Sequence, residues 1–301
     1  MQHTFFNLLS GTERVPRQHW EAAASLAERF SQALPGMRCF VTPLHKQAAK
    51  TGGRQNASRA SASARFALDM WRVALLSQAL HPESFVMPLD LFAKIDHGIQ
   101  YDLISDASTP IIAAGIYHPA SRQLLAWTSV VLPFKYNSVK EAALYQNQRE
   151  YLGYLVSLLL LTIYTSGINS PQVVNNILPI RWFSDNITAQ SWAEHAKARS
   201  LHSLPANIAI TLLQLKHHIN LQDTIHVPSV HMHDIDNATR NRPTPSLTPD
   251  KFIDVNNNTN FIEILSLCNP TIQESYDSYR NMLFQFQVLF DNLQDQDPRS
   301  E

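Results

Sequence analysis

Apolar and polar positions divide the first hundred residues into helical segments. Over 16–34, apolar side chains recur at every fourth position, and Pro35-Gly36 follows as a stop signal, which predicts a helix. A second helix is predicted over 65–80. The intervening 47–64 is rich in Gly, Ser, Ala and Arg and is predicted to be a flexible loop.

From residue 101 onward, the pattern changes to short apolar runs that alternate with helical periods. The predicted strands are 101–105, 113–119, 124–132, 177–185 and 223–229. The predicted helices are 139–164, 187–200, 206–219 and a last one that begins near Asp236. The order β-β-β-α-β-α-α-β-α predicts an α/β fold with a mixed five-stranded sheet: three antiparallel strands come first and two more are added in parallel.

The pattern predicts three regions. Residues 1–98 form an N-terminal helical segment, residues 99–242 form the sheet domain, and residues 243–301 form a loop and a C-terminal helical tail. An apolar stripe near 271–294 predicts the tail helix, and this stripe is expected to pack on the domain or on a partner.

Composition and cysteine usage limit the setting. Hydrophobic residues make up 45% of the chain, enough for a sizeable core, and the net charge is −1. The longest apolar run, 155–164, is too short to span a bilayer, and no signal-peptide pattern is found, so no membrane partner is expected. Cys39 and Cys268 match no metal-ligand spacing, which favours an intracellular location in the cytoplasm or nucleus.

Basic residues concentrate ahead of the strands. Between Glu28 and Asp69 there are seven Lys and Arg residues and no acidic residue. Such a stretch could contact a phosphate backbone, although a solvated surface loop is the alternative. The predicted nucleic-acid-binding residues are Lys46, Lys50, Arg54, Arg59, Arg65 and, after the fourth strand, Asn186.

Four acidic residues lie at or near the ends of predicted strands or within a predicted helix. Asp106 and Asp185 end strands, Glu150 lies within a helix, and Asp236 follows the fifth strand. Carboxylates so placed can converge on two divalent ions, and oxygen ligands suit Mg²⁺, with Mn²⁺ as a substitute. The sequence therefore predicts a two-metal site in which these four residues are both metal ligands and catalytic residues.

Each acidic residue also has a simpler interpretation. An Asp at a strand end often forms a turn, Asp185-Asn186 could cap the next helix, and Glu150 could be solvated. Asp234, two residues before Asp236, competes with it as the fourth ligand.

The motifs around these acids resemble the ribonuclease H region of retroelement reverse transcriptases, in particular the DIRS-like and Gypsy-type groups. The family's first motif, an Asp-Ala-Ser strand with a later Gly, is matched by Asp106-Ala107-Ser108 and Gly115. The other matched segments are Glu150-Tyr151-Leu152, Ser184-Asp185-Asn186, Val227-Pro228-Ser229 and 235–240. The last spacing favours Asp236 over Asp234. Residues 1–100 resemble the thumb and connection segment of these polyproteins.

The resemblance implies a ribonuclease H-like fold and two-metal hydrolysis of the RNA strand of RNA–DNA hybrids. It also implies a reverse transcriptase polymerase module as partner in a longer polyprotein, because this chain contains no Tyr-x-Asp-Asp-like polymerase motif. His231 and His233 are candidates for a family histidine that helps product release, or for a turn role.

Two departures from the family pattern support an alternative function. Ser229 and Ile235 replace the family's Gly and Ala. The alternative is a catalytically silent or domesticated remnant that serves as a nucleic-acid-binding or interaction scaffold. A third hypothesis, an integrase-like nuclease, is disfavoured because integrases place their Glu in a late helix.

Overall fold

The chain forms two compact units in the computed structural model, which describes residues 14–33, 35–53, 56–80, 98–167, 177–195 and 203–269 and the single positions Asp277, Arg280, Asn281 and Phe284. The first unit contains the described residues up to 80. The second contains those from 98 to 269, so that residues 243–269 belong with the sheet. The helix predicted near 271–294 lies outside the described residues apart from the four single positions.

The first unit is helical. Its elements are β1 (Val15–Pro16), α1 (Arg17–Ala33), a 3-10 helix (Pro35–Phe40), α2 (Thr42–Lys50), β2 (Ala57–Ser58) and α3 (Ala62–Leu80). The two short strands pair antiparallel. Trp20, Leu44, Phe66 and Trp71 are almost completely buried and form the core of this unit. Of these, Phe66 was predicted from the apolar spacing, whereas Leu26 and Phe30 of the predicted stripe are only partly buried.

The prediction that the whole of 47–64 is a loop is wrong for its described residues. Both ends of this segment are helical, and its middle pairs with the chain before α1. Buried Gln47 provides the physical reason: its amide donates to Ser58 Oγ at 2.8 Å and to the Arg59 carbonyl at 2.9 Å, and its carbonyl accepts from the Ser61 N–H at 2.9 Å. These three hydrogen bonds hold a Ser- and Gly-rich segment in one conformation.

The second unit contains the predicted mixed five-stranded sheet, and the α/β, ribonuclease H-like fold class is confirmed. The strands are β3 (Tyr101–Ala107), β4 (Ile111–Tyr117), β5 (Leu124–Val131), β6 (Leu178–Ser184) and β7 (Ile219–His226). Their spatial order is β5-β4-β3-β6-β7. β3, β4 and β5 pair antiparallel, whereas β6 joins β3 and β7 joins β6 in parallel. β7 begins four residues before its predicted start.

Helices flank this sheet. They are α4 (Val139–Leu144), α5 (Gln146–Gly167), α6 (Ile187–Glu194), α7 (Leu204–Lys216), α8 (His233–Thr239) and α9 (Thr259–Leu267). The single helix predicted over 139–164 is instead two helices separated at Tyr145. The Tyr145 ring stacks on Tyr136 with a centroid distance of 6.1 Å.

Helix α5 covers one face of the sheet at close range. A Cβ atom added at Gly153 would lie 2.8 Å from Ser105 Oγ, so only glycine allows this approach. The next residue, Tyr154, packs on β6, with its ring centroid 4.7 Å from that of Trp182. The Trp182 indole in turn donates a hydrogen bond to Ser105 Oγ at 3.0 Å. Residues 155–164, predicted to be a buried helix, lie in α5.

The opposite face and the β5 edge are covered by the chain after β7. Ile235 of α8 packs in a cluster with Ala113, Leu124 and Leu247. Beyond it, the Ile253 N–H donates to the Trp127 carbonyl at 2.9 Å, where residues 127 and 252 form a parallel bridge. The segment after α8 therefore continues the sheet beyond β5 at this point.

None of the helices in the described part of the chain has the length and apolarity that a bilayer-crossing helix needs.

Candidate metal centre

Three of the four predicted acidic residues meet at one end of the sheet. Carboxylate oxygens of Asp106, Glu150 and Asp185 all lie within 4.8 Å of one another. Asp106 and Glu150 are 7% and 2% exposed, and Asp185 is partly exposed. The cluster therefore lies at the surface of the core, with Asp185 on its solvent side.

Strand pairing and helix packing produce this convergence. β3 and β6 are parallel neighbours with Ile104 opposite Phe183. Asp106 and Asp185, each two residues further toward the carboxyl end, therefore come side by side. Glu150 lies three residues before Gly153, about one turn nearer the start of α5. The close contact at Gly153 thus brings Glu150 to the same end of the sheet.

Burial and mutual repulsion favour protons on this cluster. Desolvation, followed by the charges of Asp106 and Asp185, raises the pKa of Glu150 to about 9. Desolvation also raises the pKa of Asp106. The hydrogen bond from Thr239 lowers this pKa, whereas the charges of Asp185 and Asp236 raise it further. A compensating cation would therefore be needed to ionise Glu150 and Asp106 together.

Side chains of α5 orient Glu150. The Gln146 amide donates to Glu150 Oε1 at 2.6 Å. Gln146 is held in turn by Arg149, whose guanidinium also donates to the Ala142 carbonyl and lies 5.1 Å from the Tyr136 ring centroid. Buried Arg149 thus holds the Gln146 side chain in the position from which Gln146 donates to Glu150.

Asp236 is near the cluster but does not belong to the group of three. Its Oδ1 accepts two hydrogen bonds from Arg240, at 2.9 and 2.7 Å. Thr239 links the two regions, because its hydroxyl lies 2.9 Å from Asp106 Oδ2 and 2.8 Å from the Asp236 carbonyl. The alternative residue, Asp234, contacts His233 at 3.7 Å and acts on the pKa of Tyr117 instead.

The donor set fits one small divalent cation. Mg²⁺ binds oxygen ligands at about 2.0–2.1 Å, so that ligands on opposite sides of it are about 4 Å apart. Oxygens within 4.8 Å of one another match that spacing after small side-chain adjustments. A second ion would need Asp236, whose Oδ1 is bonded to Arg240.

The predicted nucleic-acid-binding residues fall in both units. Asn186 lies beside the cluster, where its side chain caps α6 by accepting from the Ala189 N–H and donates to Asn147 at 2.9 Å. A capping role for the Asp185-Asn186 pair was the simpler interpretation, and Asn186 is the member of the pair that fills it. The basic residues are all in the first unit: Lys46 and Lys50 lie on α2, Arg59 and Arg65 are exposed, and Arg54 lies outside the described residues.

Four residues of the site were given no contact or chemical role in the sequence prediction, although Thr239 and Arg240 belong to the matched motif 235–240. Gln146, Arg149 and Arg240 each lie one to four residues from an acidic residue, so helical i,i+4 spacing could have indicated Gln146 and Arg240. Thr239 contacts Asp106 across 133 residues of chain, which no local pattern reveals. His231 and His233 are exposed, and His233 lies 3.2 Å from the Asn237 amide.

A comparison of the chain with known protein families, curated proteins and solved structures finds no match. The resemblance to retroelement ribonucleases H accordingly stays a prediction from the motifs.

Proposed function

We propose that the protein hydrolyses the RNA strand of RNA–DNA hybrids by two-metal catalysis, as part of a retroelement reverse transcriptase. The observation that supports this most is the convergence of Asp106, Glu150 and Asp185 at the carboxyl ends of two parallel strands. The choice of substrate rests on the motif resemblance. A polymerase module as partner and an intracellular location belong to the same proposal.

When bound, Mg²⁺ would activate a water molecule and stabilise the leaving oxygen of a phosphodiester. The chain's own residues prepare this chemistry. Thr239 holds Oδ2 of Asp106, and Gln146 holds Oε1 of Glu150, so the remaining oxygen of each carboxylate keeps a defined direction. Glu150 must release its proton to solvent before it can serve as a ligand.

Two features favour the alternative of a catalytically silent scaffold. Arg240 donates to Asp236, and the Ile235 side chain is buried against the sheet, 3.1 Å from where a Cβ at Gly115 would lie. Ile235 is larger than the family's Ala and so takes up core space on the helix that carries the predicted fourth ligand. In this alternative, the fold persists while the metal chemistry is lost.

The test is cleavage of a labelled RNA–DNA hybrid by the purified chain, in Mg²⁺ and in Mn²⁺, with double-stranded DNA and RNA as comparison substrates. We expect cleavage of the RNA strand of the hybrid, reduced about 100-fold or more by Asp106→Asn because this removes a central ligand. Asp223→Asn, an exposed change of the same charge on β7, should leave cleavage unchanged. If the wild type and Asp106→Asn are equally inactive with both ions, the nuclease function is wrong and the scaffold function remains.

A further inference from the structure

Arg240 is the cation that contacts Asp236. Its Nε and Nη2 groups both donate to one oxygen, Asp236 Oδ1, at 2.9 and 2.7 Å. The Asp236 side chain is 18% exposed and that of Arg240 is 53% exposed. The pair therefore forms a lateral boundary of the carboxylate cluster, open to solvent on the arginine side.

The charge of Arg240 also acts on the cluster itself. Besides its hydrogen bonds to Asp236, the guanidinium interacts electrostatically with the carboxylate of Asp106. Thr239, the preceding residue, contacts Asp106 and so keeps this end of α8 against the cluster. The guanidinium thus neutralises one carboxylate and lies within electrostatic reach of another.

We propose that Arg240 occupies the second-cation position at Asp236, so that the resting protein binds one divalent ion, at Asp106, Glu150 and Asp185, and a second only when Arg240 leaves. This inference rests on the proposed function. In this proposal Arg240 does not take part in the chemistry; its guanidinium determines how many divalent ions the site binds. Because more than half of its side chain is exposed, it can rotate into solvent without opening the core.

A physical argument supports competition between the two cations. A carboxylate oxygen that already accepts two charge-assisted hydrogen bonds must lose them before it can ligate a metal ion. A fixed positive charge also repels a divalent ion placed next to it. Removal of the guanidinium should therefore strengthen the second ion site and leave the first ligand set intact.

The experiment counts Mn²⁺ ions bound to the full chain, by calorimetry and by electron paramagnetic resonance of free Mn²⁺, without nucleic acid. We expect one Mn²⁺ in the wild type with a much weaker second, and in Arg240→Gln a second site tightened about tenfold. Arg242→Gln is the matched control, because Arg242 is also exposed and lies only two residues from Arg240, so that the same charge is removed nearby. It should behave as the wild type does.

Two further variants make the result specific. Asp236→Asn combined with Arg240→Gln should return the protein to one ion, because the oxygen that Arg240 released is then a weaker ligand. Arg240→Lys keeps the charge and should bind fewer ions than Arg240→Gln. Thermal unfolding without metal confirms that each variant is folded.

The outcomes separate this inference from the proposed function. If Arg240→Gln and Arg242→Gln bind the same number of ions with the same affinity, or if the wild type binds two equally well, the inference is wrong while the metal site stands. If the wild type binds no Mn²⁺, both are wrong.

Discussion

Asp102 is a fully buried carboxylate that two arginines neutralise. Arg181 donates to it twice, at 2.8 and 3.0 Å, and Arg122 donates once, at 2.8 Å. Both guanidinium groups lie over the Phe183 ring, at 5.5 and 5.7 Å from its centroid. Arg122 has a φ of 58°, an uncommon backbone conformation that this ion pair helps to hold.

We predict that Asp102→Asn lowers the free energy of unfolding by about 2 kcal/mol, because hydrogen bonds to a charged acceptor become hydrogen bonds to a neutral one. Urea denaturation measures the effect. Asp223→Asn removes an exposed charge from β7 and should change the free energy of unfolding by less than about 0.5 kcal/mol. Equal effects of the two substitutions would show that Asp102 has no special role.

Residues of the site differ in how far the sequence indicated them. Asp106 and Asp185 could be predicted because each ends an apolar run, and the carboxyl ends of neighbouring parallel strands lie together. The Arg240–Asp236 pair follows a helical i,i+4 spacing but could not be distinguished from an ordinary surface pair. The Thr239 contact with Asp106 depends on how α8 packs, which the sequence does not encode locally.

At the scale of elements, the contact between α5 and β3 determines where Glu150 lies. Gly153 faces Ser105 with no room for a Cβ atom, and Ser157, one turn later, donates to the Gly153 carbonyl at 2.9 Å. A displaced α5 would move Glu150 away from Asp106, because a helix shifts as a rigid element.

We predict that Gly153→Ala lowers the free energy of unfolding by about 1–2 kcal/mol, even though alanine is the better helix former. It should also reduce hybrid cleavage, because Glu150 moves with the helix. Ser166→Ala, an exposed change near the end of the same helix, is the control and should have little effect on either quantity. A Gly153→Ala protein that is more stable than the wild type would contradict the close packing.

The strands and their order could be predicted because apolar runs of the right length identify strands, and right-handed crossovers restrict how they connect. Three local features could not. The break at Tyr145 depends on stacking with Tyr136, the order in 47–64 depends on Gln47, and the segment that extends the sheet at Trp127 comes from more than a hundred residues later. Each depends on side-chain or backbone contacts that lie outside helical and strand periodicity, and the last one joins distant parts of the chain.

At the scale of the whole molecule, the predicted phosphate-binding residues and the carboxylate cluster belong to different units. The exposed Lys50, Arg59 and Arg65 belong to the helical unit, and the carboxylate cluster belongs to the sheet unit. In the proposed function, the first unit contributes phosphate contacts and the second the chemistry.

Stability and pH are linked through the carboxylate cluster. In the unfolded chain Glu150 ionises near its usual value of 4.5, whereas burial keeps it protonated in the folded chain up to about pH 9. Between these values the folded state binds more protons than the unfolded state, so the free energy of unfolding falls as pH rises. The raised pKa of Asp106 adds to this fall in the same direction. A bound divalent ion should reverse the trend, because it stabilises the ionised carboxylates of the folded state.

Thermal unfolding from pH 5 to 9, with and without Mg²⁺, tests most directly whether these carboxylates form a metal site. We predict that the metal-free protein loses stability as pH rises, and that Mg²⁺ raises the unfolding temperature by an amount that grows with pH. In Asp106→Asn the Mg²⁺ effect should disappear, whereas Asp223→Asn should retain it. An unfolding temperature that Mg²⁺ and Mn²⁺ leave unchanged at every pH would contradict the metal centre.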